Sequence, residues 1–379
     1  MNVNRVAVST AFFCQGFAFA ALITRIPAIQ DQFNFSEGGL AMILAGVPIL
    51  AGVGSVLAGL LAVRFHSAVV LRVCALIVAG GLVAVGAATT AGSFPGLLGA
   101  LALMGFGLGS VDATMNMQGI GVQAQVGRSV MASFYAWWSL ATILGAVAAS
   151  VAAATSLTLL AFFGIIAVVL IPVGLIASTR FVRSHEADEA APDPLAASAS
   201  VPWRPLLVFG FAVVLAFIID SSVSNWSALD LTDVLGATES VAALAYAAYA
   251  LFMLIGRTFA DHLVGRRGVQ WLITAGGLLA AVGLLVVAFA PTAVIAIAGF
   301  AIVGLGISPV LPMAFVAASH HDPRHTGIAV ARVNVGNYIG FVIGAPLVGV
   351  IGEFSSLRVG FAVLVAAALG IALMARSFD

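Results

Sequence analysis

The sequence predicts an all-α membrane protein with twelve transmembrane helices. Three observations carry that prediction. Of 379 residues, 62% are hydrophobic and 8% charged, where a soluble domain has about a quarter charged. Apolar stretches of about 20 residues, enough to cross a bilayer as a helix, follow one another along the chain. Short motifs also return at an offset of roughly 200 residues, as they do in a duplicated unit.

The first six spans are expected at Val6–Ile29, Gly38–Val63, Val69–Ala91, Pro95–Gln118, Ser129–Ala152 and Leu157–Thr179. The first contains Ala18-Phe19-Ala20, which mimics a signal peptide. It is too long for one and reads as a retained span. The second six are expected at Pro205–Leu229, Val241–Leu263, Val269–Ala290, Thr292–Ala318, Gly327–Ile351 and Leu357–Met374. Residues 181–203 interrupt the pattern: Glu186, Asp188, Glu189 and Asp193 alternate with Ala, Ser and Pro. This composition reads as a flexible linker between an N-terminal bundle, residues 1–180, and a C-terminal bundle, residues 204–379.

The two halves echo each other. Gly107-Leu108-Gly109-Ser110 matches Gly304-Leu305-Gly306-Ile307-Ser308, and Gly145 matches Gly344. The exit of the first span, Arg25 to Asp31, resembles Asn225 to Asp230 after the seventh. Parallel repeats of this kind build carriers whose binding site lies near the bilayer midplane.

All fifteen basic residues are arginine. With the N-terminus in the cytoplasm, Arg5, Arg64, Arg72, Arg128, Arg180, Arg183, Arg204, Arg266, Arg267, Arg324 and Arg376 all fall on the cytoplasmic side. The other side keeps Arg358 with Asp31, Glu37, Asp230, Asp233, Glu239 and Glu353. The positive-inside bias therefore predicts a multi-pass inner (plasma) membrane protein with both termini cytoplasmic. Net charge is zero, so no nucleic-acid partner is expected. Cys14 and Cys74 both lie in apolar stretches, which argues against a disulfide framework or a metal site. There is no Walker loop, nucleophile elbow or zinc-protease helix, so neither an enzyme nor a cofactor is expected.

Polar residues inside the spans are the candidate site. Gly105, Gly109, Asp112, Asn116 and Gly119 share one arc of a helix, because steps of three and four return to the same face. Glycines admit a second helix backbone, and an ionisable group at this depth faces a partner or a cavity. Asp112 is therefore a proton-coupling candidate, and Asp220, with Ser224 and Ser227 on its face, is the second. Removal from water disfavours the charged form of a carboxyl, so such a group can hold and release a proton. A purely structural role as interhelical glue stays open for both. The substrate-binding candidates are Gln15, Arg25, Asn116, Asn225, Asn334, Asn337, Tyr338 and Phe341. The last four form a strip of carboxamides and rings on the eleventh span, suited to a neutral polyhydroxy ring. Arg25 either snorkels to the interface, pairs with Asp220 or binds an anionic group. Arg332 either bonds a carboxylate or reaches the headgroups. Tyr135 reads as part of an interfacial aromatic belt, and Trp226 as belt or gate.

Twelve spans divided six and six resemble the major facilitator superfamily. The sharpest local match is Gly256-Arg257-Thr258-Phe259-Ala260-Asp261, closing on Arg266-Arg267-Gly268. It is similar to the family's loop signature of a Gly, an Asp five residues on and a basic pair before a Gly. The resemblance implies the major facilitator fold, two pseudo-symmetric six-helix bundles. It also implies a gate on the cytoplasmic side formed by Asp261 with Arg257, Arg266 and Arg267. Asp261 is expected against the start of the fifth span, near Arg128 and Ser129, where a negative charge is favoured. The arginine pair could instead anchor the loop only. In the first half, counting five on from Gly59 gives Arg64 rather than Asp, so that copy of the signature is degenerate. The fourth span lacks the Arg common in proton-coupled members and has Asp112. Asp112-x-x-x-Asn116-x-Gln118-Gly119, Phe134 to Ser139 and Tyr246-Ala247-Ala248-Tyr249 most resemble the fucose-permease-like group, whose characterised members are proton-coupled sugar importers.

The expectation is a monomeric secondary carrier in the lipid bilayer. Its partners would be protons and a small polar, sugar-like substrate, moved by alternating access. A proton-driven exporter of drugs or metabolites and a transport-inactive receptor or scaffold stay open as other readings.

Overall fold

The computed structural model describes residues 3–35, 37–155, 157–182, 194–322 and 324–378. Every regular element among them is helical, and twelve helices are long and apolar enough to cross a membrane. The shortest run 20 residues, about 30 Å at 1.5 Å per residue, which matches a hydrocarbon core. The chain divides into two compact units. Met1–Val126, Trp137–Val201 and Asp322–Arg332 form one; Gly127–Ala136, Pro202–His321 and Val333–Asp379 form the other.

The first unit contains α1 (Val3–Thr24), α2 (Ile26–Phe33), α3 (Glu37–Phe65), α4 (Ser67–Thr90), α5 (Phe94–Val126), most of α6 (Met131–Ala154), α7 (Leu159–Ser178) and α8 (Pro194–Ser200). Helix α5 packs against α3, α4 and α1, and α7 packs on α4 and α1. The α3–α5 seam needs glycine. A Cβ on Gly105 would stand 2.7 Å from the Val47 carbonyl oxygen, and one on Gly109 would overlap the Ala51 backbone. The arc that the sequence draws is thus divided in space: Gly105 and Gly109 face α3, whereas Asp112 meets α1. Arg25 separates α1 from α2, its backbone at φ −100° and ψ 4°. Pro27 follows in the first turn of α2 and offers no N–H to the turn before it.

The second unit contains α9 (Trp203–Leu229), a π-helical turn at Asp230–Val234, α10 (Glu239–Arg267), α11 (Val269–Ala288), α12 (Ala293–Ile307), α13 (Val310–Ser319), α14 (Ile328–Phe354) beyond its first turn, and α15 (Leu357–Met374). Pro309 separates α12 from α13 within one span, Ala293–Ser319. Helix α12 packs against α10 and α11, and α15 packs on α11 and α9. Helix α14 meets α9 through a second glycine ladder. Cβ atoms on Gly336, Gly340 and Gly344 would stand 2.7, 2.5 and 2.5 Å from the carbonyl oxygens of Gly210, Val214 and Ile218.

The internal echo is physical. A Cβ on Gly54 would stand 3.0 Å from Ser110 Oγ, and one on Gly256 would collide with Ser308 Oγ. His66 links α3 to α4 at φ 65°, and Gly268 links α10 to α11 at φ 83°. Both pairs share one offset, and that register sets Gly59, rather than Arg64, opposite Asp261. Gly59 makes a close contact where Asp261 places a charge: its Cβ would stand 2.7 Å from Ala331 Cβ. Beside it, Ser55 Oγ donates to the Ala331 carbonyl at 3.0 Å.

The linker reading needs correction at its end. Residues 183–193 lie outside the described residues, but Pro194–Ser200 is helical, with Ala197 and Val201 buried. Arg332 holds the C-terminal end of α8. It donates to the carbonyls of Val201 at 2.6 Å and Ser198 at 2.7 Å, and to Ser198 Oγ at 2.8 Å. Its charge also acts on Asp322. A planar guanidinium suits this convergence of acceptors.

Candidate functional site

In the first unit a hydrogen-bonded chain links three helices. Gln15, buried on α1, donates from Nε2 to Asp112 Oδ1 at 2.6 Å. Trp138 Nε1, on α6, donates to Gln15 Oε1. The carboxamide of Gln15 therefore accepts from the indole and donates to the carboxyl, and each role fixes the other. Gly16 permits the approach, since a Cβ there would stand 2.7 Å from the Trp138 carbonyl oxygen. Phe19 lies 6.0 Å from the Trp138 ring, and Phe13 6.5 Å from that of Trp137. Asp112 itself is half-buried, while Asn116 is fully buried and donates to the Asp112 carbonyl at 2.8 Å. Gln118 is a structural pin: it donates to Ser67 Oγ and the Val182 carbonyl, both at 2.9 Å, and accepts from Val182 N at 2.8 Å. Arg25 donates to the Leu157 carbonyl at 3.5 Å.

The second unit has its own acid. Tyr249 Oη, on α10, donates to Asp220 Oδ1 on α9, and Tyr246 stacks on Tyr249 at 5.9 Å. Arg257, two turns further along α10, is close enough for its charge to act on Asp220. Its guanidinium lies 5.3 Å from the centre of the Tyr135 ring. Tyr135 is buried and stacks on Phe315 at 6.5 Å, so it is a cation–π partner and not the belt residue that the sequence suggested. Trp226 donates to the Ala345 carbonyl at 2.8 Å, which fixes α9 to α14. Asn225 is exposed and donates to the Ser221 carbonyl at 2.7 Å. On α14, Asn337 Nδ2 donates to Asn334 Oδ1 at 2.7 Å, and Asn334 Nδ2 lies 3.5 Å from Tyr338 Oη. Asn337 Oδ1 is buried without a hydrogen-bond partner. Phe341 is partly exposed, and its carbonyl accepts from Ser221 Oγ at 2.9 Å.

Asp261 caps the start of α6. One oxygen accepts from Ser129 Oγ at 2.6 Å and Ala132 N at 3.2 Å, and the other from Ser133 N at 2.8 Å. A carboxylate is favoured at a helix N-terminus, where unpaired N–H groups and the positive dipole end coincide. Arg266 and Arg267 are exposed, and Arg267 lies 5.2 Å from the Trp271 ring centre. Among the described residues no group of three His, Cys, Asp or Glu is placed to hold a metal ion.

Sequence reasoning missed the burial of Asp230. Asp230 counts as a loop carboxylate by position, yet it is 0% exposed, and neither of its oxygens has a hydrogen-bond partner. The π turn that it opens draws it inward. Arg358, which donates to the Ala290 carbonyl at 2.8 Å, acts on it by charge. Nothing in the local pattern signals this, because single π turns are rare.

Twelve helices long and apolar enough to cross a membrane, with hydrogen-bonded acids set among them, define a multi-pass membrane protein. The family model described as Major Facilitator Superfamily matches residues 209–378. The transporter y4wD of Sinorhizobium fredii is 29% identical over 93% of this chain and 92% of its own length. An MFS-type transporter of Yersinia pestis is 28% identical over 99% and 95%. Among solved structures, the transporter FucP in its outward conformation shares the fold with a TM-score of 0.84 at 15% identity, over 99% of this chain and 98% of that one. The chain is thus similar to major facilitator transporters, in sequence to the relatives along nearly its whole length and to the family model over residues 209–378.

Proposed function

We propose that this transporter is a proton-coupled secondary carrier of a small, polar, sugar-like solute. It works as a monomer in the plasma membrane, with six-helix halves at residues 1–180 and 204–379. The observation that carries the reading is the chain from Trp138 through Gln15 to Asp112. A membrane-depth carboxyl held by a neutral carboxamide can gain or lose a proton on Oδ2 while Oδ1 goes on accepting from Gln15 Nε2. Asp220, held by a phenol with a guanidinium nearby, is the second proton-coupling group. The unpartnered Asn337 oxygen, with Asn334, Tyr338 and Phe341, supplies polar and flat apolar contacts for a sugar ring. Gln15, Arg25, Asn116 and Asn225 complete the substrate set. A solved structure names FucP of E. coli a fucose:proton symporter, which supports the same chemistry here. Asp261, with Arg257, Arg266 and Arg267, serves as the cytoplasmic gate. If substrate binds the protonated form more tightly, the two are linked thermodynamically.

The first test is a thermal-shift screen of purified protein with sugars, sugar acids and nucleosides. The best hit is then followed in proteoliposomes. Asp112→Asn is expected to abolish accumulation driven by a pH gradient while counterflow of the same solute persists. Unchanged accumulation would remove Asp112 from the mechanism. Accumulation only under the reversed gradient would favour an exporter.

A further inference from the structure

A groove runs between α4 and α7, with residues of α1 and α5 as its floor, wholly within the first unit. Its walls are almost entirely apolar, with Ala79, Leu82, Leu170 and Gly174 along them. Leu76 and Leu175 on its rim are exposed, and the place where a Cβ of Gly174 would stand has nothing within 4 Å. In a twelve-span protein such a sideways opening faces hydrocarbon. Polar side chains interrupt the lining at Gln15, Arg72 and Ser178. Gln15, the donor to Asp112, sits in the floor. Arg72 stands near the start of α4, exposed, with Nε donating to Ser178 Oγ at 2.9 Å and Nη2 to the Ser178 carbonyl at 3.1 Å. Those two bonds fix the guanidinium and leave Nη1 for another acceptor. Arg180, just past the end of α7, is exposed at the same end.

An apolar channel with one fixed cation at its mouth is complementary to an amphipathic guest with one anionic head. The bilayer supplies such a guest. Arginine at the headgroup level attracts anionic lipid and pairs with phosphate through parallel N–H bonds. A chain entering beside Leu82 and Gly174 would lie against Gln15, the donor to Asp112. We propose that this groove binds one acyl chain of an anionic phospholipid, with the lipid phosphate on Arg72. The lipid then packs behind the Gln15–Asp112 pair and steadies it, whatever solute the carrier moves.

The experiment titrates full-length protein in neutral detergent with phosphatidylglycerol or phosphatidylcholine of matched chains. Melting temperature and lipid retained in native mass spectra are read together. The wild type is expected to retain phosphatidylglycerol and to melt higher with it than with phosphatidylcholine. Arg72→Gln should lower that retention roughly fivefold, as for one basic residue near the surface, and Arg72→Lys should keep most of it. Gly174→Leu, whose Cβ would meet no protein atom within 4 Å and whose longer chain occupies the groove, should abolish retention while the lipid-free protein melts no lower. Equal retention of both lipids, or unchanged retention in Gly174→Leu, would overturn the proposal. So would full reproduction of the effect by glycerol phosphate, since the head alone would then suffice.

Discussion

The first turn of a helix has N–H groups that the helix itself cannot satisfy, and Asp261 accepts two of those of α6 together with a serine hydroxyl. Asp261→Ala should therefore cost about 1–2 kcal/mol, seen as a lower melting temperature in detergent. Faster hydrogen exchange should be confined to the start of α6, and Asp261→Asn should fall between the two. Equal melting of all three proteins would show that the cap contributes nothing. The deep acids follow a different rule. Interhelical hydrogen bonds in membrane proteins average only about 0.6 kcal/mol, so the bonds of Gln15 to Asp112 and Tyr249 to Asp220 hold geometry more than they hold the fold. Sequence periodicity exposes both acids because charges are rare in apolar stretches. It does not expose their donors: Gln15 lies on a helix distant in sequence, and tyrosines are unremarkable in a membrane span.

Helix contacts depend on residues with no side chain. Gly340→Leu should be severe, because even a Cβ would stand 2.5 Å from the Val214 carbonyl oxygen and α9 and α14 would have to part. Overpacking of this kind costs about 1–3 kcal/mol or more, and Gly210→Ala, with nothing within 4 Å of its Cβ position, is the matched control. Melting temperatures of the two variants decide the matter. At the linker, Arg332→Gln should release α8: hydrogen exchange should quicken over residues 194–201 while the transmembrane helices keep their protection. Unchanged exchange there would mean that the apolar contacts of Ala197 and Val201 suffice. Composition alone made this segment look unstructured, because a seven-residue helix has too little local stability to be legible; its partner lies far along the chain.

At the scale of the whole molecule, the arginine distribution predicts that both termini face the cytoplasm. Reporter fusions at each end, active only in the cytoplasm, should both report that side; a periplasmic signal from either would reverse or break the topology. The twelve spans and their repeat were readable without coordinates, since a bilayer demands long apolar segments whose backbones bond internally. So was the placement of Asp261 near Ser129, because the loop signature carries its partner's location with it. Tertiary structure alone decided which face of each helix meets which neighbour. It drew Tyr135 beneath Arg257, buried Asp230, and turned Gly105 and Gly109 toward α3 while Asp112 met α1. The physical reason is that lipid treats every apolar face alike. Periodicity can therefore say that a helix lies in the membrane, while only close contact between backbones says where it points.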